Sequence, residues 1–365
     1  MCSSPDALSK ESVNSGLCGS VGSDSDDTND SVTERRCLRG MRVGEDCGDT
    51  TTTSSSSSSV LTGILHGVGW MVVAMNLPFY VSGEETFNKI YLKAFYDYDP
   101  KISLFDNTIW TYGSDYVLAV MTAATGCWIL WTSNRADTVI ANKLAWVSAV
   151  MLFLYAISVT TGGIAHHTFL TVESRNSLSF RVLWTICVGT VYMAPMAMGM
   201  IANECLRIFQ SRSNCPPLLK QMPCLMDSYW LCYGAVGTMT CICGYMSYQR
   251  PACDIFIAGI TQTPCTFYFM GILYLVEDPV ITNGVKIPGL IGFIMNAFLL
   301  PLYPALVVTF GWSLGGTNAL LHTNLFIAWF LQGLTLQRIV KALVEETGKE
   351  ARQNTIPPSK QKKVQ

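Results

Sequence analysis

Residues 144–167 read LAWVSAVMLFLYAISVTTGGIAHH. The run carries no Lys, Arg, Asp or Glu and ends on two of the chain's four histidines, His166 and His167. About 20 apolar residues at 1.5 Å rise are enough to cross the hydrocarbon layer of a bilayer, so this stretch reads as a membrane-spanning helix. It is not alone. Positions 182–203, 228–248, 255–276 and 287–337 are likewise free of Lys, Arg, Asp and Glu.

The whole chain agrees with that reading. Of its 365 residues 50% are hydrophobic and only 14% charged, against roughly 25% charged in an ordinary soluble protein. The fold class is therefore all-α, a polytopic membrane bundle. Seven spans are expected, near 108–131, 144–165, 181–204, 228–248, 254–276, 288–311 and 317–338. The short turn at 311–316 makes the last two antiparallel neighbours. Pro195 and Pro264 fall inside spans, where membrane helices tolerate them.

Four segments follow from this pattern. Residues 1–59, with an unbroken serine run at 54–59, bury too little apolar surface to fold and read as a disordered tail. Asn29-Asp30-Ser31 fits a glycosylation sequon, to be used only on a lumenal tail. Residues 60–107 hold an apolar stretch, 60–82, and then a polar linker. That stretch contains His66, Asn76, Pro78 and three Gly, so it reads as a helix in the interface or packed on the bundle, with a true eighth span as the alternative. Residues 108–338 form the seven-helix domain, and 339–365 a solvated C-terminal tail. Arg135, Lys143, Arg207, Arg212, Lys220, Lys286, Arg338 and Lys341 all fall on one side, which places the C-terminus in the cytoplasm.

The net charge of −2 gives no reason to expect a nucleic-acid partner; membrane lipids and a lipid or small-molecule ligand are the expected ones. Cys241 and Cys243 are too close for the usual CxxC spacing, and no disulfide is assigned. Met193, Met196, Met198 and Met200 read as packing filler. Glu204 and Arg207, one turn apart, read as an interfacial ion pair.

The polar outliers share a depth. Ser114 and Asp115 lie in the first turns of the first span, His166 and His167 end the second, and His322 opens the seventh. All fall at the outer side of the membrane. Ionisable residues are costly there and usually face the bundle interior or a cavity, so a common depth points to a site. Asp plus His suits a metal-activated water: imidazoles hold Zn²⁺ and a carboxylate orients or deprotonates the water. The ligands would come from His166 or His167, from His322, and from Asp115 or the second histidine of the pair.

Three patches carry a resemblance: Ser-Asp-Tyr-Val-Leu-Ala (114–119), Gly-Gly-Ile-Ala-His-His (162–167) and Asn-Ala-Leu-Leu-His-Thr-Asn-Leu (318–325). Their arrangement resembles a group of seven-helix proteins similar to the superfamily of alkaline ceramidases and progestin and adipoQ receptors. The resemblance implies a seven-helix bundle with a Ser/Asp/three-His zinc site that hydrolyses lipid amides. In it Asp115 would be the base, Ser114 would assist, and His166, His167 and His322 would supply the metal ligands. The chain departs from that family in the last helix, where Phe326 and Ile327 follow His322 and no second histidine does. The competing readings are a non-catalytic receptor or sensor on the same bundle, and a small-solute transporter.

Overall fold

A computed structural model describes residues 54–87, 107–134, 139–245, 254–278, 281–304, 306 and 310–355. The sequon at Asn29, the tail before residue 54, the linker at 88–106 and the last ten residues lie outside them. Among the described residues the chain is helical, with no strand. In chain order the elements are α1 (Ser54–Phe87), α2 (Ile109–Ser133), α3 (Val139–Thr168) and α4 (Val172–Arg175). They continue with α5 (Leu178–Gln210), α6 (Pro217–Gln221), α7 (Asp227–Tyr245), α8 (Asp254–Leu275), α9 (Asn283–Pro304) and α10 (Leu314–Thr355).

Five of these are long and apolar enough to cross a membrane among the described residues: Ser56–Ala74, Ile109–Ser133, Ala141–Thr168, Leu178–Gln210 and Gly315–Glu346. The chain is thus a helical protein with the makings of an integral membrane protein. Its outer surface fits that setting, with Trp110, Val120, Trp131, Trp146, Phe267 and Tyr274 all exposed.

Six helices close a ring, α2–α3–α5–α8–α9–α10 and back to α2, and α7 packs outside it on α5. Small residues set the closest approaches. A Cβ on Gly199 of α5 would sit 2.0 Å from the Trp230 ring of α7, and one on Gly292 of α9 would sit 2.8 Å from the Ala328 carbonyl of α10. Without a hydrophobic driving force in lipid, such close backbone packing is a main source of helix association.

Side-chain donors then stitch α10 to α9. Asn324 and Gln332 donate to the Met295 and Gly292 carbonyls, each at 3.2 Å, and Thr335 to that of Val285 at 3.3 Å. Pro288 has no N–H to give the Gly284 carbonyl one turn earlier. The Arg338 guanidinium donates to that oxygen instead. α10 also continues helical through Thr355, into the segment expected to be a solvated tail from residue 339. Arg212, just past the end of α5, grips it with a two-pronged pair to Glu346 at 2.5 Å.

Helix α1 begins at Ser54, inside the serine run, and packs against α7 and α8. Gly63 and Gly67 form a Gly-x-x-x-Gly pair on its inner side. A Cβ on Gly63 would meet the Tyr229 carbonyl at 2.5 Å, and one on Gly67 the Tyr233 carbonyl at 3.2 Å. Between them His66 Nδ1 lies 2.8 Å from the Tyr229 hydroxyl.

At the N-terminal end of α3 a neutral cluster of two cations and two anions ties three helices. Lys143 pairs with Glu204 and, at 3.0 Å, with Asp227; Arg207 pairs with the same Glu204 and, at 3.4 Å, with Asp227. Asn203 completes it, donating to Asp227 at 3.4 Å and to the Leu225 carbonyl at 2.6 Å. Burial alone would push the Asp227 carboxyl up. The Lys143 hydrogen bond and the Arg207 and Lys143 charges outweigh burial and hold it below the usual range.

Gly63→Leu should weaken α1 docking by about 1–3 kcal/mol, the usual cost of overpacking a close contact. Gly69→Ala, at a position where an added Cβ meets nothing within 4 Å, should be neutral or slightly stabilising. Thermal unfolding in detergent separates the two, and equal midpoints for both variants would mean α1 is not packed as described.

Candidate functional site

The end of the bundle opposite the charge cluster gathers the start of α2, the end of α3 and the start of α10. Asn107, two residues before α2, caps α3: its amide donates to the His166 carbonyl and, at 3.4 Å, to that of Phe169. Those are orphan carbonyls of a helix C-terminus, so the contact fixes where α3 stops relative to α2.

Asp115 is 4% exposed on the inner side of α2. Its Oδ1 lies 3.0 Å from His322 Nδ1 on α10. The neighbouring wall is glycine. A Cβ on Gly163 would come within 3.1 Å of the Asp115 Cβ, and one on Gly162 within 3.7 Å of its Oδ2. Larger residues there would force α3 off the carboxylate. Gly162 and Gly163 therefore bury the acid against backbone, where it has little competition from water.

The two histidines ending α3 diverge, as neighbours about 100° apart on a helix must. The ring of His166 points to the core side, edge-on to His322 with centroids 6.5 Å apart and edge-on to Trp184 at 5.7 Å. The ring of His167 is exposed and stacks on Tyr112 at 4.4 Å, with the Tyr116 hydroxyl 3.3 Å from its Nδ1. Ser114 is turned along its own helix, its hydroxyl donating to the Trp110 and Thr111 carbonyls at 2.5 and 2.9 Å.

Asp115, His322 and His166 thus come together, while His167 and Ser114 face elsewhere. The zinc that the family resemblance implies needs three protein ligands around one point. Among the described residues no three His, Cys, Asp or Glu side chains are grouped closely enough to hold an ion. As they are placed, the described side chains do not form the three-ligand set of a catalytic zinc centre.

Two features of the site differ from the sequence expectation, which used Gly162 and Gly163 only within the 162–167 patch and placed Trp329 in an interfacial aromatic belt. One is the glycine wall. The other is Trp329, two turns below His322 on α10, which stacks on Tyr155 of α3 with centroids 3.6 Å apart and floors this end of the bundle. The seven-residue spacing from His322 to Trp329 is the pattern that would have placed both on one helix face.

No family model, curated protein or solved structure matches the chain.

A double-mutant cycle on Asp115→Asn and His322→Ala should return a coupling energy of about 0.5–3 kcal/mol, as expected for residues in contact. Ser114→Ala should change stability by less than about 0.5 kcal/mol, because its hydroxyl only back-bonds to its own helix. Additive single mutants would break the Asp115–His322 contact as an energetic pair.

Proposed function

We propose that the protein is a multi-pass membrane receptor or sensor that takes a lipid or small-molecule ligand at the Asp115–His322 end of the bundle, without hydrolysing it. In this reading all seven segments expected between 108 and 338 cross the membrane and α1 adds an eighth span. The C-terminus lies on the cytoplasmic side, and with eight spans the N-terminal tail does too. The observation that supports it is the enclosed Asp115–His322 pair, around which no three-ligand group forms among the described residues. An acid and an imidazole at 3.0 Å can bind and orient a polar group, whereas water activation by zinc would require His166, edge-on to His322 with centroids 6.5 Å apart, to close in as a third ligand. The half-buried Tyr112 and Tyr116 beside the exposed His167 suit the lipid–water boundary, where aromatic rings with polar tips collect.

The zinc hydrolase implied by the family resemblance is the competing reading, and two assays on one preparation separate them. In protein purified in detergent without chelator, zinc should stay well below one ion per chain and be unchanged by His322→Ala. A long-chain ceramide offered as probe should be recovered intact after incubation. Near-stoichiometric zinc that falls in His322→Ala, together with amide turnover abolished by Asp115→Asn, would overturn the receptor reading in favour of the hydrolase.

A further inference from the structure

The middle of the bundle holds a small cavity lined by Met151, Met198, Gln262, Thr266, Asn296 and Trp329, drawn from α3, α5, α8, α9 and α10. It offers about 10 Å³ to the centre of a water-sized sphere, close to the minimum that admits one water molecule. Its wall is chemically mixed, with two amides, a hydroxyl and an indole among thioethers. Trp329 is the informative member. It is 2% exposed, and its Nε1–H, with the Tyr155 hydroxyl alongside it, is left without a well-angled hydrogen bond among the described residues. The indole is stacked face-on against Tyr155, so the N–H, which lies in the ring plane, is directed past that ring. A buried N–H left unmade costs roughly 1–3 kcal/mol, more in a low-dielectric interior.

We propose that this cavity is a water-binding site: one internal water accepts from Trp329 Nε1 and exchanges hydrogen bonds with the Gln262 and Asn296 amides and the Thr266 hydroxyl. Volume and polarity are both those of a hydrated site, since apolar cavities stay dry and a held water needs two to four polar partners. The site is separate from the ligand reading above and stands without it. It makes the centre of the bundle a hydrogen-bonded junction of five helices.

Radiolytic footprinting tests it directly, because hydroxyl radicals made from a bound water oxidise the side chains beside it. Met151 and Met198 are 0% and 5% exposed, and Met71, 6% exposed on α1, is the buried control. Met226, in a loop and 43% exposed, reports bulk solvent, and Met239, 57% exposed on the outer surface of α7, reports the detergent or lipid face. In the full-length protein Met151 and Met198 should form sulfoxide several-fold faster than Met71 and Met239, approaching Met226. Trp329→Phe keeps most of the ring volume and removes the donor, so labelling at Met151 and Met198 should fall several-fold with Met226 unchanged. Met151 and Met198 labelling no faster than Met71 in the unmodified protein would overturn the proposal, whatever the variant does.

Discussion

A carboxylate withdrawn from water must be given a partner, and the fold answers that demand for Asp115 with a residue from the last helix. His322 reaches it at 3.0 Å, which is also where α10 closes the ring of helices onto α2. The contact depends on α3 coming close, and it does so because residues 162 and 163 have no side chains to hold it away. One polar pair thus links the start of the bundle, its end and the glycine-bearing helix between them. In a setting where apolar contact with lipid is as good as apolar contact with protein, such polar and close-backbone contacts carry much of the specificity of assembly.

The two ends of α3 solve the same problem in different ways. At its N-terminal end Lys143, Glu204, Arg207 and Asp227 cancel one another in a closed, neutral cluster. Every charge there is matched, so the cluster reads as a clamp on α3, α5 and α7. At the C-terminal end the pair has only one acid and one or two imidazoles, and aromatic rings rather than counter-charges surround it. A partly enclosed polar pair among aromatic rings is what the proposed ligand would meet there. Between the ends the Tyr155–Trp329 stack separates the pair from the mixed cavity below.

The helical, membrane-type architecture was legible from composition and charge-free runs, because a bilayer imposes length and apolarity on a segment locally. Helix positions followed within a few residues at α2 and α8, and less well at α10, where the chain past Arg338 stays helical to Thr355 and Arg212 holds Glu346. The shared depth of Asp115, His166 and His322 could be read from topology alone. Which of the paired histidines faces inward could not, since a rotation of a third of a turn decides it. Glu204 and Arg207 were visible as neighbours one turn apart, but Lys143 and Asp227 join them from other helices and leave no local trace. Gly63 and Gly67 were counted as residues that weaken a span, and their use against the backbone of α7 emerges only once α7 is in place.

The central claim is that α10 begins against the start of α2, and a single cross-link tests it most directly. A Cβ at position 315 would lie 3.7 Å from the Thr108 Cγ2, within disulfide reach. The Thr108→Cys, Gly315→Cys double variant, oxidised mildly in membranes, should yield the 108–315 linked peptide by mass spectrometry while each single variant does not. Failure of that link to form, with both thiols shown to be reactive, would mean that the ring does not close at this end and that Asp115 and His322 are not neighbours.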